Sequence, residues 1–433
     1  MEKSSRDLDR IVVTADDERA VAFAGLLLPA TLGQRLNIGR LANEIVDLDK
    51  RPGYFKPGNK IMTLMHSIIA GGSYIDDADV LRCASTDEVL GHQVMAPSTL
   101  GTFLRSFTFG NLRQLDKLSK EVLRNAWSAG SGPGSDAMTI DMDSTICEVY
   151  GSKKQGAAYG YTKVLGYHPL LATRADTGEI LHLRMRKGSA GSARGAAFFV
   201  QETTRRVHYG GGTGQLTLRA DSAFFSHSVI DTCVENDMRF SITVDQNPAV
   251  VKLIAAIDKH DWVRINYTDD GIGEVAETEY WGFRLVVRRT KVSDPEVQEM
   301  FPNWRYHAFI TDRQGTAVEL DVDHRCHATV ELAIRDVKEG SGLEHCPSGN
   351  YWANGAWLAI CSLAHNLMRW VANIGAGNDG TVVVKTMRHR LFSVPGRLTW
   401  RSGGKQLHLP SRWPWAEGFL EVLGNLRAVR LAT

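Results

Sequence analysis

The sequence of 433 residues has few cysteines, no long apolar run and no excess of one charge. The six cysteines are scattered without a CxxC spacing, which excludes a disulfide scaffold or zinc ribbon and predicts reduced thiols. No apolar run is long enough to span ~30 Å of hydrocarbon. Residues 1–10 are charged without an apolar stretch, so we expect no signal peptide and a cytoplasmic protein.

The net charge of +1, from 50 Lys and Arg against 49 Asp and Glu, excludes a uniformly basic chain. This total conceals an uneven distribution of charge along the chain, because residues 385–433 hold nine Lys and Arg against two Glu, a net of +7. Trp400, Trp413 and Trp415 lie among these cations. Interleaved aromatic and basic residues are typical of nucleic-acid contact, although Trp413-Pro-Trp415 equally suits a corner of the core.

Hydrophobic periodicity divides the chain at a turn-rich stretch over 128–135. Before it, apolar residues recur at three- and four-residue steps, which predicts helices, with Ser98 and Asn111 marking two helix starts. After it, apolar and polar residues alternate as in strands. The predicted strands cover 138–142, 161–171, 179–185, 215–220, 238–244, 262–267, 279–289 and 304–310. The predicted helices among and after them cover 192–206, 222–236, 329–338 and 351–374. The pattern indicates an α/β protein.

Three carboxylates stand where predicted elements begin or end. Asp143 and Asp221 each close a strand, and Glu331 lies early in the helix over 329–338. Strand ends point into the crevice beyond a sheet, so these oxygen ligands would hold two Mg²⁺ or Mn²⁺ ions for phosphoryl transfer. The alternative is that the two aspartates cap the turn or helix that follows each strand.

Two cations follow Glu331 at helical spacing. Glu331, Arg335 and Lys338 share one helix face, which predicts a metal ligand beside phosphate-contacting groups, or else a solvated ion-pair face. Nearby His and Cys residues have the types of zinc ligands but not the spacing of a zinc finger. They are His324, Cys326, His327, His345 and Cys346.

Three motifs together resemble a known family. They are Asp143-Ser-Thr145 after a strand, Arg219-Ala-Asp-Ser222 at a strand end, and Glu331-x-x-Ile-Arg-Asp-x-Lys338 after a strand-rich block. In this combination the chain resembles the DDE transposases of bacterial insertion sequences, especially the subgroup numbered thirteen-eighty of the hairpin-forming class. The resemblance extends to the tail, at residues 390–397.

The resemblance implies an α/β fold with a ribonuclease H-like core, a β-rich insertion and a helical N-terminal DNA-binding domain. It implies that Asp143, Asp221 and Glu331 are catalytic and bind Mg²⁺, with Mn²⁺ as a substitute, and it leaves Asp141 as a reserve ligand. The predicted parts are the DNA-binding domain at 1–135, the core at 136–235 and 326–384, the insertion at 236–325, and the basic segment at 385–433.

The chain departs from the family at two positions. The family usually has Tyr and Arg seven and four residues before the glutamate, where this sequence has His324 and His327, with Arg325 out of register. This departure motivates a rival function, a decayed or domesticated DNA-binding protein without catalysis. A second rival is a related nuclease that only hydrolyses DNA.

The expected function is metal-dependent cleavage of transposon ends and strand transfer into target DNA. The expected partners are the terminal inverted repeats, target DNA and a second copy of the chain in the synaptic complex, in a bacterial cytoplasm. A basic run after a predicted strand suits a DNA-phosphate track or a solvated surface. The predicted DNA contacts are Arg335, Lys338, Arg325, Arg186 and Lys187.

Overall fold

The computed structural model describes residues 8–151, 153–160, 162–268, 271–291, 304–377 and 383–432. Its α-helices are α1 Leu27–Arg35, α2 Ile38–Ile45, α3 Pro57–Ala70, α4 Thr86–Leu90, α5 Pro97–Arg105, α6 Phe109–Ala126, α7 Ala196–Gly210, α8 His227–Glu235, α9 Pro248–Ala256, α10 Ala317–Arg325, α11 Ala328–Ser341, α12 Tyr351–Trp370, α13 Val384–Met387 and α14 Ala416–Ala428.

The strands are β1 Ala20–Val21, β2 Met138–Ser144, β3 Cys147–Glu148, β4 Ala158–Tyr159, β5 Leu165–Tyr167, β6 Leu170–Arg174, β7 Ile180–Arg184, β8 Leu216–Ala220, β9 Arg239–Val244, β10 Val263–Thr268, β11 Gly271–Tyr280, β12 Phe283–Lys291, β13 Trp304–Thr311, β14 Gly396–Arg401 and β15 Gly404–His408. The protein is therefore a mixed α/β structure, as the sequence predicts.

A large sheet occupies the centre of the molecule. In the described residues it has nine strands in the order β10-β11-β12-β13-β9-β8-β2-β6-β7. β2 pairs parallel with β8 and antiparallel with β6, and β8 pairs parallel with β9. The strands β10 to β13, from the predicted insertion, continue this sheet through the antiparallel pair of β13 and β9.

Strand β2 separates an apolar face from a polar one, because alternate side chains point to opposite faces of a sheet. Met138, Ile140 and Met142 are buried, and the last two pack near Phe199 of α7. The odd-numbered positions carry Asp141 and Asp143 on the opposite face. Helix α11 packs against β2.

Two predicted strands are each interrupted. The strand predicted over 161–171, whose first residue lies outside the described part, is two strands, β5 and β6. The strand predicted over 279–289 is wrong because it spans a hairpin between β11 and β12. The hairpin turns at Trp281 and Gly282, which have φ values of 57° and 77°. Positive φ at both turn residues suits a tight hairpin, but a Trp gives no sequence signal for it.

The predicted helix starts differ from the observed ones by a few residues. Helix α5 begins at Pro97, so Ser98 does not cap it. Thr108 caps α6, and Asn111 is the third helical residue that completes a capping box. Helices α9 and α10 are absent from the prediction, although Asn247 with Pro248 and Thr316 with Glu319 form the caps that mark their starts.

Helix α12 joins the N-terminal helices to the sheet. Seventeen of its twenty residues are buried, and it packs against α3, α5 and α6 on one side and against α11 and β7 on another. At the turn-rich stretch, Trp127–Ser131 continue α6 as a π-helical turn with Trp127 buried. β1 also pairs with β14 of the tail. The predicted division into four parts stays a prediction, and one hydrophobic core runs through all of them.

No helix in the described part of the chain is long and apolar enough to cross a membrane. Residues 1–7, which belong to the charged start of the sequence, lie outside the described residues. All six cysteines are free thiols.

Glu179 is a buried carboxylate at the junction of these parts. It accepts hydrogen bonds from the indole N–H groups of Trp127 and Trp370 and from the Thr177 hydroxyl, and it pairs with Arg174 at 3.4 Å. Burial raises the pKa of Glu179, while the Arg174 charge and these donors lower it. The carboxylate therefore ties the end of α6 and the end of α12 to the turn before β7.

We expect Glu179→Ala to lower the free energy of unfolding by about 3–5 kcal/mol, since it leaves buried donors and a buried cation without their acceptor. Glu179→Gln keeps one carbonyl acceptor and should cost less. Urea denaturation measures both, with the exposed Glu235→Ala as a control within about 0.5 kcal/mol of the parent. Equal stability of the two Glu179 variants would contradict this account.

Candidate active site

Asp143 and Asp221 lie at the same edge of the central sheet. Met142 of β2 is the register partner of Ala220 in β8, and the two strands are parallel, so each aspartate follows directly after a paired residue. The Asp143 carboxylate accepts the Ser144 amide at 2.6 Å. Asp221 accepts the Ala223 amide at 3.1 Å and caps a short 3-10 turn, so its capping role is also real. Parallel strands thus bring together two carboxylates from distant parts of the chain.

Glu331 reaches the same place from α11. Asp143, Asp221 and Glu331 line one cleft of about 570 Å³, which we call the acidic cleft. The other residues of its wall come from the strand ends, β9, β12, β13 and the α10–α11 region. They are Ser222, Thr243, Arg288, His307, His324, Arg325, His327, Ala328 and Val330.

Asp143 and Asp221 are disfavoured in their charged forms. Burial raises the pKa of Asp143 to about 6, and the charges of Asp221 and Glu331 add to this rise, while the Ser144 amide and His327 oppose it. Burial likewise raises the pKa of Asp221. Two nearby carboxyls with raised pKa values are a common property of sites that bind cations or protons.

The donor chemistry fits a divalent cation completed by substrate. Carboxylate oxygens are the ligands of Mg²⁺, which proteins usually hold with one or two carboxylates plus phosphate oxygens and water. Within the described ranges, no three His, Cys, Asp or Glu side chains are close enough to hold one ion by themselves. Pairs of these carboxylates facing one open cleft leave room for phosphate oxygens as the remaining ligands.

Asp141, the reserve ligand, is used inside the protein. It is 1% exposed, and Arg219 donates to its two oxygens through Nε at 2.7 Å and Nη2 at 2.9 Å. These residues are direct register partners on β2 and β8. His327 Nδ1 lies 2.8 Å from the same carboxylate. The sequence spacing could have indicated this pair. Asp141 and Arg219 each precede a cleft aspartate by two residues, and so lie on the same face of their strands as that aspartate.

The two histidines at the family's departure have different surroundings. His324 is buried, its ring nitrogens lie 2.8 Å from the Ser241 hydroxyl and 3.0 Å from the Thr243 hydroxyl, and it stacks on Phe309. Burial lowers the pKa of His324 well below its usual value, so the ring is neutral and structural. His327 also lines the acidic cleft but is only half-buried, and its Nδ1 faces the Asp141 carboxylate.

The zinc reading of the His and Cys residues finds no support in the structure. The Cys326 thiol is exposed and contacts the Val322 carbonyl. His345 packs edge-on against Tyr74, and Cys346 is buried. These side chains do not form a group that could hold an ion in the described part of the chain.

Arg335 and Lys338 line a groove that joins the acidic cleft. Asp143 and Glu331 border this groove as well, so the predicted shared face of α11 is confirmed. Arg335 is exposed and makes no ion pair among the residues that the structure covers. Lys338 Nζ donates to the Ile146 carbonyl at 3.1 Å.

The other predicted DNA contacts differ in exposure. Lys187 is exposed, and Arg325 stands at the wall of the acidic cleft with its Nε 3.0 Å from Asp321. Arg186 is 7% exposed and donates to the backbone carbonyls of His168, Gly191, Ser192 and Arg194. A buried guanidinium with four acceptors anchors the loop that follows β7, so a direct DNA contact of Arg186 does not fit this arrangement.

The basic tail is partly used in internal contacts. Lys385 pairs with Glu339, Lys405 pairs with Glu88, and the half-buried Arg388 donates to carbonyls of α3 and α11. Trp413 packs against Trp415 and Phe419, which confirms the core corner, whereas Trp400 is 51% exposed. Trp400 and the exposed arginines around it are therefore the part of the tail still open to a nucleic acid.

Comparison with curated proteins finds no match. Among solved structures, the chain overlaps a piggyBac transposase, described as a synaptic complex with hairpin DNA studied by cryo-EM, at 12% identity and a TM-score of 0.45. The overlap covers 85% of this chain and 79% of that chain. A family model described as "Transposase DDE domain group 1" matches residues 3–431, almost the whole length of the sequence. The chain therefore belongs to the DDE transposase family.

Proposed function

We propose that this protein cleaves DNA at transposon ends and joins them to target DNA, with Asp143, Asp221 and Glu331 as its catalytic, metal-binding acids. The observation that carries the proposal is their convergence on one cleft from two adjacent parallel strands and a helix. When bound at such a site, divalent cations activate water and neutralise charge on the attacking and leaving oxygens. Mg²⁺ is the expected ion and Mn²⁺ its substitute.

The chain's own residues would position the DNA. Asp143 and Glu331 face both the acidic cleft and the groove, so a phosphodiester lying across them is within reach of all three acids. Arg335 and Lys338 would bind phosphates along the groove, and Lys187 and Arg325 would contact DNA further out. Catalysis of phosphoryl transfer rests mainly on such positioning and on charge neutralisation.

We also propose that the part of the sheet from β7 to β9 is a ribonuclease H-like core. Its support is the strand order β7-β6-β2-β8-β9, in which an antiparallel meander is followed by two parallel strands. The core predicted at 136–235 and 326–384 would then also include β9, which lies within the predicted insertion at 236–325, and the strands β10 to β13 of that insertion extend the sheet. The helices of 1–135 would bind transposon-end DNA, and the bacterial subgroup rests on the three motifs and on residues 390–397.

We expect Asp143→Asn and Glu331→Gln each to reduce Mg²⁺-dependent cleavage of end-bearing DNA by at least about 10³-fold. Bound metal ions lower the free energy of the transition state by several kcal/mol, and each ~1.4 kcal/mol corresponds to a tenfold change in rate. Binding of the same DNA should persist. The measurement is single-turnover cleavage, with the exposed Glu235→Gln as control. Wild-type rates in either variant would exclude this assignment, and joining of a pre-nicked end to target DNA separates a transposase from a purely hydrolytic nuclease.

Replacing Arg335 by Gln should weaken binding of all DNA sequences to a similar extent. Loss of one phosphate contact lowers the slope of log affinity against log salt concentration by about 0.9. Fluorescence anisotropy over a salt series measures this slope, and Lys252→Gln, an exposed cation on α9, is the matched control. An unchanged slope for Arg335→Gln would remove this residue from the phosphate-binding surface.

In the absence of divalent cations, the charge of Asp143 should destabilise the fold. Its pKa of about 6 lies above that of an unfolded chain, so the folded protein favours the protonated carboxyl, and the penalty appears as pH rises from about 4 to about 6. Asp143→Asn should therefore raise the unfolding free energy by about 1–3 kcal/mol at pH 7.5 and have little effect at pH 4. Urea denaturation in EDTA tests this, and a gain of the same size at both pH values would contradict it.

A further inference from the structure

His327 is held at the wall of the acidic cleft by a buried ion pair. Its Nδ1 lies 2.8 Å from Asp141, whose two oxygens also receive hydrogen bonds from Arg219. Arg219 is 2% exposed and its third nitrogen donates to the Asp323 carbonyl at the end of α10. The ring is therefore fixed from the side of the sheet. Glu331, four residues further along the chain, lines the same cleft from α11.

This arrangement fixes the tautomer of His327. Asp141 is a carboxylate paired with a guanidinium, so it can only accept hydrogen bonds, and the ring must donate through Nδ1–H. In the neutral imidazole, Nε2 then carries the lone pair. Among the described residues, no hydrogen bond to Nε2 is present, and the ring borders the acidic cleft together with Asp143, Asp221 and Glu331. A histidine whose Nδ1–H donates to a carboxylate has the arrangement of histidines that bind metals through Nε2.

The cleft thus presents an imidazole lone pair and carboxylate oxygens, all of them acceptors, which can share a cation whose remaining ligands are phosphate oxygens and water. Two arginines of the cleft wall, Arg288 and Arg325, are bound to the buried Asp321 at 2.7 and 3.0 Å. His327, Asp143 and Asp221 line the same cleft, so the ring and these two carboxyls belong to one site.

We propose that His327 Nε2 is a nitrogen ligand of the divalent cation in the acidic cleft, with Asp141 and Arg219 as its positioning residues. The inference rests on the proposed function, which places the cation there, and assigns a ligand of a different chemical type. Imidazole nitrogen suits transition metals better than Mg²⁺, so the site should favour Mn²⁺ over Mg²⁺ more strongly than carboxylates alone would. His324, with both nitrogens bound to hydroxyls, takes no such part.

The test compares Mn²⁺ and Mg²⁺ binding to the full-length protein without measuring catalysis. His327→Asn is the main variant, because its amide N–H can replace Nδ1–H toward Asp141 while Nε2 is removed. The wild-type protein should show a ¹⁴N coupling to bound Mn²⁺ in pulsed electron paramagnetic resonance, and the variant should lack it. We expect the Kd for Mn²⁺ to rise at least about 10-fold, and the Kd for Mg²⁺ by less than about 3-fold.

His260→Asn, a change at an exposed histidine after α9, controls for loss of an imidazole elsewhere. Urea denaturation checks that His327→Asn is folded. Absence of the ¹⁴N coupling in the wild type would overturn the inference, because Nε2 would then hold a proton or nothing in place of the metal. Persistence of the coupling in His327→Asn would overturn it as well. If Asp143→Asn abolishes Mn²⁺ binding and His327→Asn leaves it unchanged, the ligand assignment fails and the proposed function stands. If the wild type binds neither ion even with end-bearing DNA present, both fail.

Discussion

The ion pair of Asp141 and Arg219 is the constraint around which the site is built. Two charges that are 1% and 2% exposed lose most of their hydration, and only a close geometry with every donor and acceptor used offsets that loss. The pair meets this condition because the residues face each other across β2 and β8, and because His327 and the Asp323 carbonyl use the remaining groups. A single interaction thereby locks the two aspartate-bearing strands to the α10–α11 region.

The strand register explains why the locked pair and the cleft aspartates coincide. Asp143 and Asp221 each follow a member of the ion pair by two residues, so they point to the same face of the sheet one step further along. There the strands end and the cleft opens. The paired charges of Asp141 and Arg219 are buried within the sheet. The carboxylates of Asp143 and Asp221, which are available for a cation, lie at its edge.

A second level of constraint comes from the shared core. Helix α12 is buried on nearly all sides, contacting the N-terminal helices, α11 and the edge strand β7. Glu179 adds a polar tie at the same junction, through indole groups at the ends of α6 and α12. Because α11 packs between α12 and β2, the position of Glu331 depends on packing that begins in the N-terminal helices. A change far from the cleft can therefore alter its geometry.

The sequence by itself determined most strands of the central sheet and the positions of Asp143, Asp221 and Glu331 at the ends or starts of their elements. Alternation in β2 and β8 and the helical spacing after Glu331 are local patterns, and local backbone preferences settle them. Local patterns did not predict the turn at Trp281 in the β11–β12 hairpin, because Trp is not a characteristic turn residue. They did not predict the interior position of Arg186 either. Only the tertiary structure decided the partners: His327 and Asp141 are 186 residues apart, and Asp141 and Arg219 are 78 apart. Such pairing depends on parallel strands placed side by side by the chain between them, and periodicity along one segment carries no information about register between two.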